Sequence, residues 1–163
     1  MMKHNLKYFL PLVMVFFSAC NNNKKNEVPK QQNALIFPQG DKNITDNFKG
    51  EVWVAPLIEA DSLNQTAVGN VTFDPGARSK WHTHPAGQIL LVTDGVGYYQ
   101  EKGQPKKILR KGDVIKCPPN IPHWHGASAD TAFVQIAITG REKGPTVWLE
   151  AVTDEEYRSG DKN

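Results

Sequence analysis

The stretch Gly76-Ala77-Arg78-Ser79-Lys80-Trp81-His82-Thr83-His84-Pro85-Ala86-Gly87-Gln88, running on to Gly95, carries one pair of histidines. A second stretch, Gly112-Asp113-Val114-Ile115-Lys116-Cys117-Pro118-Pro119-Asn120-Ile121-Pro122-His123-Trp124-His125-Gly126, carries another. Side chains two positions apart on a strand share a face, so His82 projects with His84 and His123 with His125. Gln88 has the parity of the first pair, across a turn expected at Pro85-Ala86-Gly87. Two neighbouring antiparallel strands facing inward would bring these imidazoles together. A lone histidine reads as a hydrogen-bonded structural residue. Two His-x-His pairs amid strand signals read instead as a metal centre of His82, His84, Gln88 and His123, because three neutral nitrogens and an amide oxygen suit a borderline divalent ion and leave positions open. The alternative for Gln88 is that it makes no contact to the metal.

Outward from this core, the chain from Glu51 onward is a series of short β-branched and aromatic runs broken by Gly, Pro, Asp and Asn, the pattern of an all-β sandwich or barrel. Strands are expected over residues 51–54, 66–73, 78–84, 88–93, 97–101, 106–109, 113–117, 123–127, 132–139 and 146–152. Turns are expected at Asp74-Pro75-Gly76, Asp94-Gly95, Gly103-Gln104-Pro105, Lys111-Gly112-Asp113 and Lys143-Gly144-Pro145. No helix is required before the polar tail at 153–163, and no fixed period suggests a propeller or solenoid. One domain over 46–152 follows.

The first 19 residues read as a signal peptide: Lys3 and Lys7, the apolar run Tyr8 to Phe17, then Ser18-Ala19 before Cys20. The apolar run is about half of what a membrane-spanning helix needs. The junction resembles the lipobox of bacterial lipoproteins, with Phe17 where Leu is usual. That resemblance implies export, lipid on Cys20 and attachment to a bacterial membrane on the periplasmic side or the cell surface. Residues 20–45, rich in Asn, Lys and Gln over their first half, read as a flexible polar tether. With Cys20 lipidated, Cys117 is the only thiol left and no internal disulfide can form; it reads as a small buried residue. The formal charge of +2 falls to zero once Lys3 and Lys7 leave with the signal. With no clustered basic surface, nucleic acid is not an expected partner.

The two quoted stretches resemble the paired motifs of the cupin family. The first has a Gly, five residues, His-x-His, three residues, the position that is usually Glu, six residues and a Gly. The second has a Gly, five residues, Pro-x-Gly, two residues and a His. Asn120 stands where the second motif has Gly, and Asn tolerates the left-handed backbone that Gly would supply. Ala127 stands where Asn is frequent. The resemblance implies a double-stranded β-helix, the jelly-roll barrel, with the metal inside, and a homodimer sharing an edge strand. Three His plus Gln, with Trp81 before the first histidine and His123-Trp124-His125-Gly126 in the second motif, is similar to the small manganese cupins related to bacterial hydroxynitrile lyases. Manganese is therefore the first ion expected, with iron, zinc, nickel or copper as alternatives.

A neutral amide in place of the usual carboxylate leaves the ion and its ligands at +2 and makes the metal a stronger Lewis acid. His125 is a candidate general base or a structural histidine at the barrel mouth, and Gln135 is a candidate for orienting a substrate. Trp53, Trp81 and Trp124 read as core. Arg78 and Lys80 share the parity of His82 but read as strand-end residues. The leading expectation is a metal-dependent lyase acting on a small hydroxy or carbonyl compound. A metal-dependent dioxygenase and a non-catalytic surface lipoprotein that binds a small molecule or metal are the alternatives.

Overall fold

Short runs of β-branched and aromatic residues gain most from a pleated, half-buried surface, and the described part of the chain is built from such runs. The computed structural model describes residues 36–160, which form twelve strands and one short helix. The expected signal sequence, Cys20 and the tether as far as residue 35 lie outside the described residues, as do residues 161–163.

Two antiparallel sheets face each other. The first orders β1 (Asp41–Lys42), β3 (Val52–Ile58), β4 (Thr66–Phe73), β11 (Phe133–Gly140), the first half of β7 (Gln88–Glu101) and β9 (Val114–Cys117). The second orders β2 (Phe48–Lys49), β5 (Arg78–Ser79), β10 (His123–Ala127), the second half of β7 and β8 (Lys107–Arg110). On the edge that pairs β5, β10 also pairs β6 (His82–Thr83), which pairs β12 (Val147–Trp148). The result is the all-β, curled arrangement expected of a jelly roll, with Val52, Phe73, Leu90, Tyr99, Cys117 and Phe133 among the core residues between the sheets.

Several boundaries differ from those expected. Asp94-Gly95 is not a turn: β7 is one strand of 14 residues that passes from the first sheet to the second. Thr93 is an extra residue opposite the Val134/Gln135 step, a bulge that bends the strand where it changes sheets. Gly95 is required there, since it has φ 78° and a Cβ would collide with the carbonyl oxygen of Ala132. The expected strand 78–84 is two short strands, interrupted where the Lys80 and Trp81 amides turn away to Asn47 O and Glu150 O. The interruption resets the parity. Arg78 is buried on the outer side, against Tyr157, whereas His82 faces inward. The expected strand 146–152 is regular only over Val147–Trp148, and 51–54 extends to Ile58 past a register shift at Pro56, which has no amide to donate.

The ends of the domain are also more ordered than their composition suggests. Within the expected tether, β1 pairs β3, and Asn70 Nδ2 donates to Pro38 O at 2.8 Å, so the domain begins before residue 46. Within the expected polar tail, α1 (Asp154–Arg158) is capped by Thr153 and Glu156 in a reciprocal capping box. Its Tyr157 packs with Trp81, Tyr98, Trp124 and Val152, and donates to Ala127 O at 2.9 Å.

Candidate metal centre and cavity

The register of β10 decides the site. His123 pairs with His82 across the ladder to β6, so the two His-x-His segments meet directly. The ring centroids of His82 lie 4.4 Å from His123, 5.0 Å from His84 and 5.2 Å from His125. All four histidines and Gln88 are buried.

The hydrogen bonds of the ring nitrogens show what each imidazole can offer. His82 Nδ1 lies 2.9 Å from Lys80 O, and His123 Nδ1 lies 2.9 Å from Ile121 O. A carbonyl only accepts, so both rings carry their proton on Nδ1 and keep a lone pair on Nε2. This is the arrangement by which metal-binding histidines are oriented. Nε2 of His123 and Nε2 of His84 are buried without any partner. His84 Nδ1 lies 3.1 Å from Thr146 Oγ1. Gln88 Nε2 donates to Thr139 Oγ1 at 2.9 Å, and the Cys117 thiol lies 4.0 Å from its Oε1.

Ring nitrogens of His82, His123 and His125 all lie within 4.8 Å of one another, so these three could hold a metal ion. This trio includes His125 and not His84, which was expected as a ligand. His125 nevertheless differs from the other histidines: its Nδ1 is 2.9 Å from Gln135 Nε2. An amide nitrogen donates, which leaves the proton of neutral His125 on Nε2. Gln135 Oε1 meanwhile has no partner. Turning the amide over would give Oε1 the Nδ1–H of His125 and free Nε2. Gln135 is fully buried behind His125 and does not line the cavity, so it acts on His125 and not on a bound molecule.

Burial holds all four imidazoles neutral. Desolvation pushes His82 and His125 well below the ordinary histidine range, with neighbouring imidazoles adding to the effect. Burial, His123 and Arg141 bring His84 down to about 3, and burial lowers His123. Neutral imidazole is the metal-binding form. The Cys117 thiol is pushed by burial up to about 12, consistent with a protonated core cysteine and not a reactive thiolate.

A cavity of about 540 Å³ opens onto the histidines, with His82, His84, Gln88 and His125 in its wall. Its apolar side includes Val54, Val71 and Ala137, and the Trp148 ring lies 4.9 Å from that of His82, tilted by 41°. Sequence reasoning singled out the other three tryptophans and passed over Trp148. Of those, Trp81 and Trp124 are core as expected. Thr139, Arg141 and Thr146 were passed over too, since nothing in their spacing ties them to the histidines. Arg78 lies away from the cavity.

The family model for a cupin domain matches residues 69–139, the strands that carry both histidine pairs. The chain is 46% identical over 118 residues to (R)-mandelonitrile lyase of Granulicella tundricola, covering 72% of this chain and 90% of that one. A cupin-like protein from Thermotoga maritima superposes with a TM-score of 0.73 at 51% identity, over 76% of this chain and 95% of that one. The DMSP lyase DddQ of Ruegeria pomeroyi shares the fold at 20% identity, with a TM-score of 0.56 over 71% of this chain and 64% of that one. The motif spacing, the paired sheets with histidines turned inward and these matches agree: the chain belongs to the cupin family.

Proposed function

We propose that this cupin is a metal-dependent lyase that breaks or forms a bond beside the oxygen of a small hydroxy or carbonyl compound. The observation that carries the reading is the cluster of buried, neutral imidazoles, with Nε2 of His84 and Nε2 of His123 left without partners, beside a cavity large enough for a small organic molecule. Buried polar atoms are nearly always paired, so open ones point to a bound group. His82, His84, Gln88 and His123 would hold one divalent ion, with manganese the first candidate. When bound, that ion supplies a Lewis acid for a substrate oxygen, undamped by a ligand carboxylate because Gln88 is neutral.

The protein's own residues then position and move protons. Thr139 takes the Gln88 amide nitrogen, so Oε1 would be the ligand atom. His125 offers Nε2 to the cavity while Gln135 holds Nδ1. With the amide nitrogen donating, Nε2 holds a proton for a departing group. With the amide turned over, Nε2 can take the proton of a substrate hydroxyl. Trp148, Val54 and Val71 limit water around the reacting atoms.

Identity to a relative named for (R)-mandelonitrile makes that compound the first to try. Cleavage is followed by the appearance of benzaldehyde, in air and under strict exclusion of oxygen, alongside metal analysis of the same protein. Equal rates in both atmospheres are expected. A strict oxygen requirement would favour the dioxygenase instead, and no turnover of any hydroxy or carbonyl compound would favour a binding protein. The proposal also places the enzyme outside the cytoplasm, held by lipid on Cys20. Fatty-acid labelling that vanishes in Cys20→Ser is the expected result, and label that persists would refute the anchor.

A further inference from the structure

Among the charged side chains of the described residues, only Arg141 and Glu59 line the cavity. They are not equivalent. Glu59 is exposed, whereas Arg141 is half-buried and held in place. Arg141 Nη1 donates to Thr146 Oγ1 at 3.1 Å, and the same oxygen lies 3.1 Å from His84 Nδ1. No carboxylate among the described residues lies within ion-pair distance of Arg141, whereas Lys42, Lys49, Arg78, Lys80 and Lys102 each have one. A cation held on a cavity wall, beside the histidines and without a counter-ion, is a receptor for an anion.

The hydrogen bonds sharpen this. When Nε2 of His84 binds a metal, the ring's proton is on Nδ1 and is donated to Thr146 Oγ1. That oxygen then accepts from both His84 and Arg141, and its own hydrogen is left to donate. Arg141 and Thr146 thus present donors side by side, the pattern that receives a carboxylate.

Resting on the lyase reading above, we infer that the substrate carries a carboxylate, which Arg141 and Thr146 bind while the hydroxyl or carbonyl oxygen at the other end meets the metal centre. The substrate class is a small hydroxy or oxo acid. The cavity wall combines histidines, the apolar side chains of Val54, Val71 and Ala137, and the cation of Arg141, and such a molecule carries a group for each.

The test uses the full chain with its metal as purified and two matched series: glycolate, 3-hydroxypropanoate and 4-hydroxybutyrate, each against its amide. Binding is measured by calorimetry and referred to the metal present. The acid of at least one chain length is expected to bind about tenfold more tightly than its amide. Arg141→Gln should remove that preference for the same length, and Arg141→Lys should keep part of it, because charge survives and the fork does not. Equal binding of acid and amide at every length overturns the inference. So does a preference that survives in Arg141→Gln, which would mean that the metal alone binds the carboxylate. Failure here, with (R)-mandelonitrile still cleaved, leaves the lyase reading standing. An Arg141-dependent preference with no lyase activity keeps the anion site and removes the lyase.

Discussion

The strand β10 separates two buried aromatic assemblies, and they treat their polar atoms in opposite ways. On its outer side Trp124 joins Trp81, Tyr98 and Tyr157. There Trp124 Nε1 donates to Gln100 Oε1 at 2.9 Å, Tyr157 donates to Ala127 O, and the buried Arg78 stacks on Tyr157, donates to Val152 O at 3.1 Å and pairs with Asp154 at 2.5 Å. Only Trp81 Nε1 lacks a conventional acceptor in that cluster. On the inner side, one residue before and one after Trp124, His123 and His125 face His82 and His84. Here His84 Nε2, His123 Nε2 and Gln135 Oε1 all stay open. A polar cluster that closes its hydrogen bonds stabilises the fold, whereas one that keeps them open in the dry interior carries a cost that a bound group can offset. Burial and aromatic content are the same in both; satisfaction of the polar atoms is what distinguishes them.

The sharpest way to break the comparison is to remove the inner histidines. The His82→Ala, His84→Ala double variant should lose more than about 100-fold in metal affinity, read by metal analysis after dialysis, while its circular dichroism remains that of a folded β protein. Stoichiometric metal in that variant would mean that the inner cluster is not the metal centre.

Removing the key residue of the outer cluster should do the reverse. Arg78→Ala is expected to cost about 2 to 3 kcal/mol, through lost charge-assisted hydrogen bonds and the contact with Tyr157, read as a lower midpoint in urea, with metal content per folded molecule unchanged. A variant that kept full stability but lost metal would erase the division between the two sides.

The next effect is smaller per group and appears with pH. All four inner histidines have pKa values below the ordinary 6.5, so between the folded and unfolded values the unfolded chain binds protons that the folded one refuses. Their cost is therefore absent above about pH 6.5 and grows as the pH falls from there toward 3. For His84 alone this is about 2 kcal/mol at pH 5. Denaturant midpoints of the metal-stripped protein should fall from pH 7 to pH 5, and less so in the His82→Ala, His84→Ala variant, which has lost two of the four groups. Equal slopes in the two proteins would contradict the burial of these rings.

The smallest effect returns to the outer side. Thr153→Ala removes the cap of α1 and should cost about 1 kcal/mol, with no change in metal binding. It separates the docking of Tyr157 from the inner site by the gentlest available change.

Much of this was legible along the chain. The two-residue spacing of His82 with His84, and of His123 with His125, was enough to put each pair on one face, because strand parity is local. Asn120, read as a residue that could replace Gly in a left-handed turn, has φ 62°. Parity failed where the ladder did. Arg78 shares the parity of His82 but lies on the opposite side, because the break at Lys80 and Trp81 resets the alternation. Asp94-Gly95 looked like a turn and is the bend of a continuous strand, since a glycine with positive φ serves either purpose.

The strand-rich fold, the two histidine pairs and the neutral amide at Gln88 follow from residue type and short spacing. The long-range packing of the domain, in contrast, sets His82 opposite His123 across the sheet and gives Gln135 to His125 and not to the cavity. It also brought Trp148 and Arg141, 60 residues or so beyond the first pair, beside His82 and His84. Those contacts join strands distant in the chain, and which distant strands meet is set by sheet register and burial of the whole core, not by any local pattern.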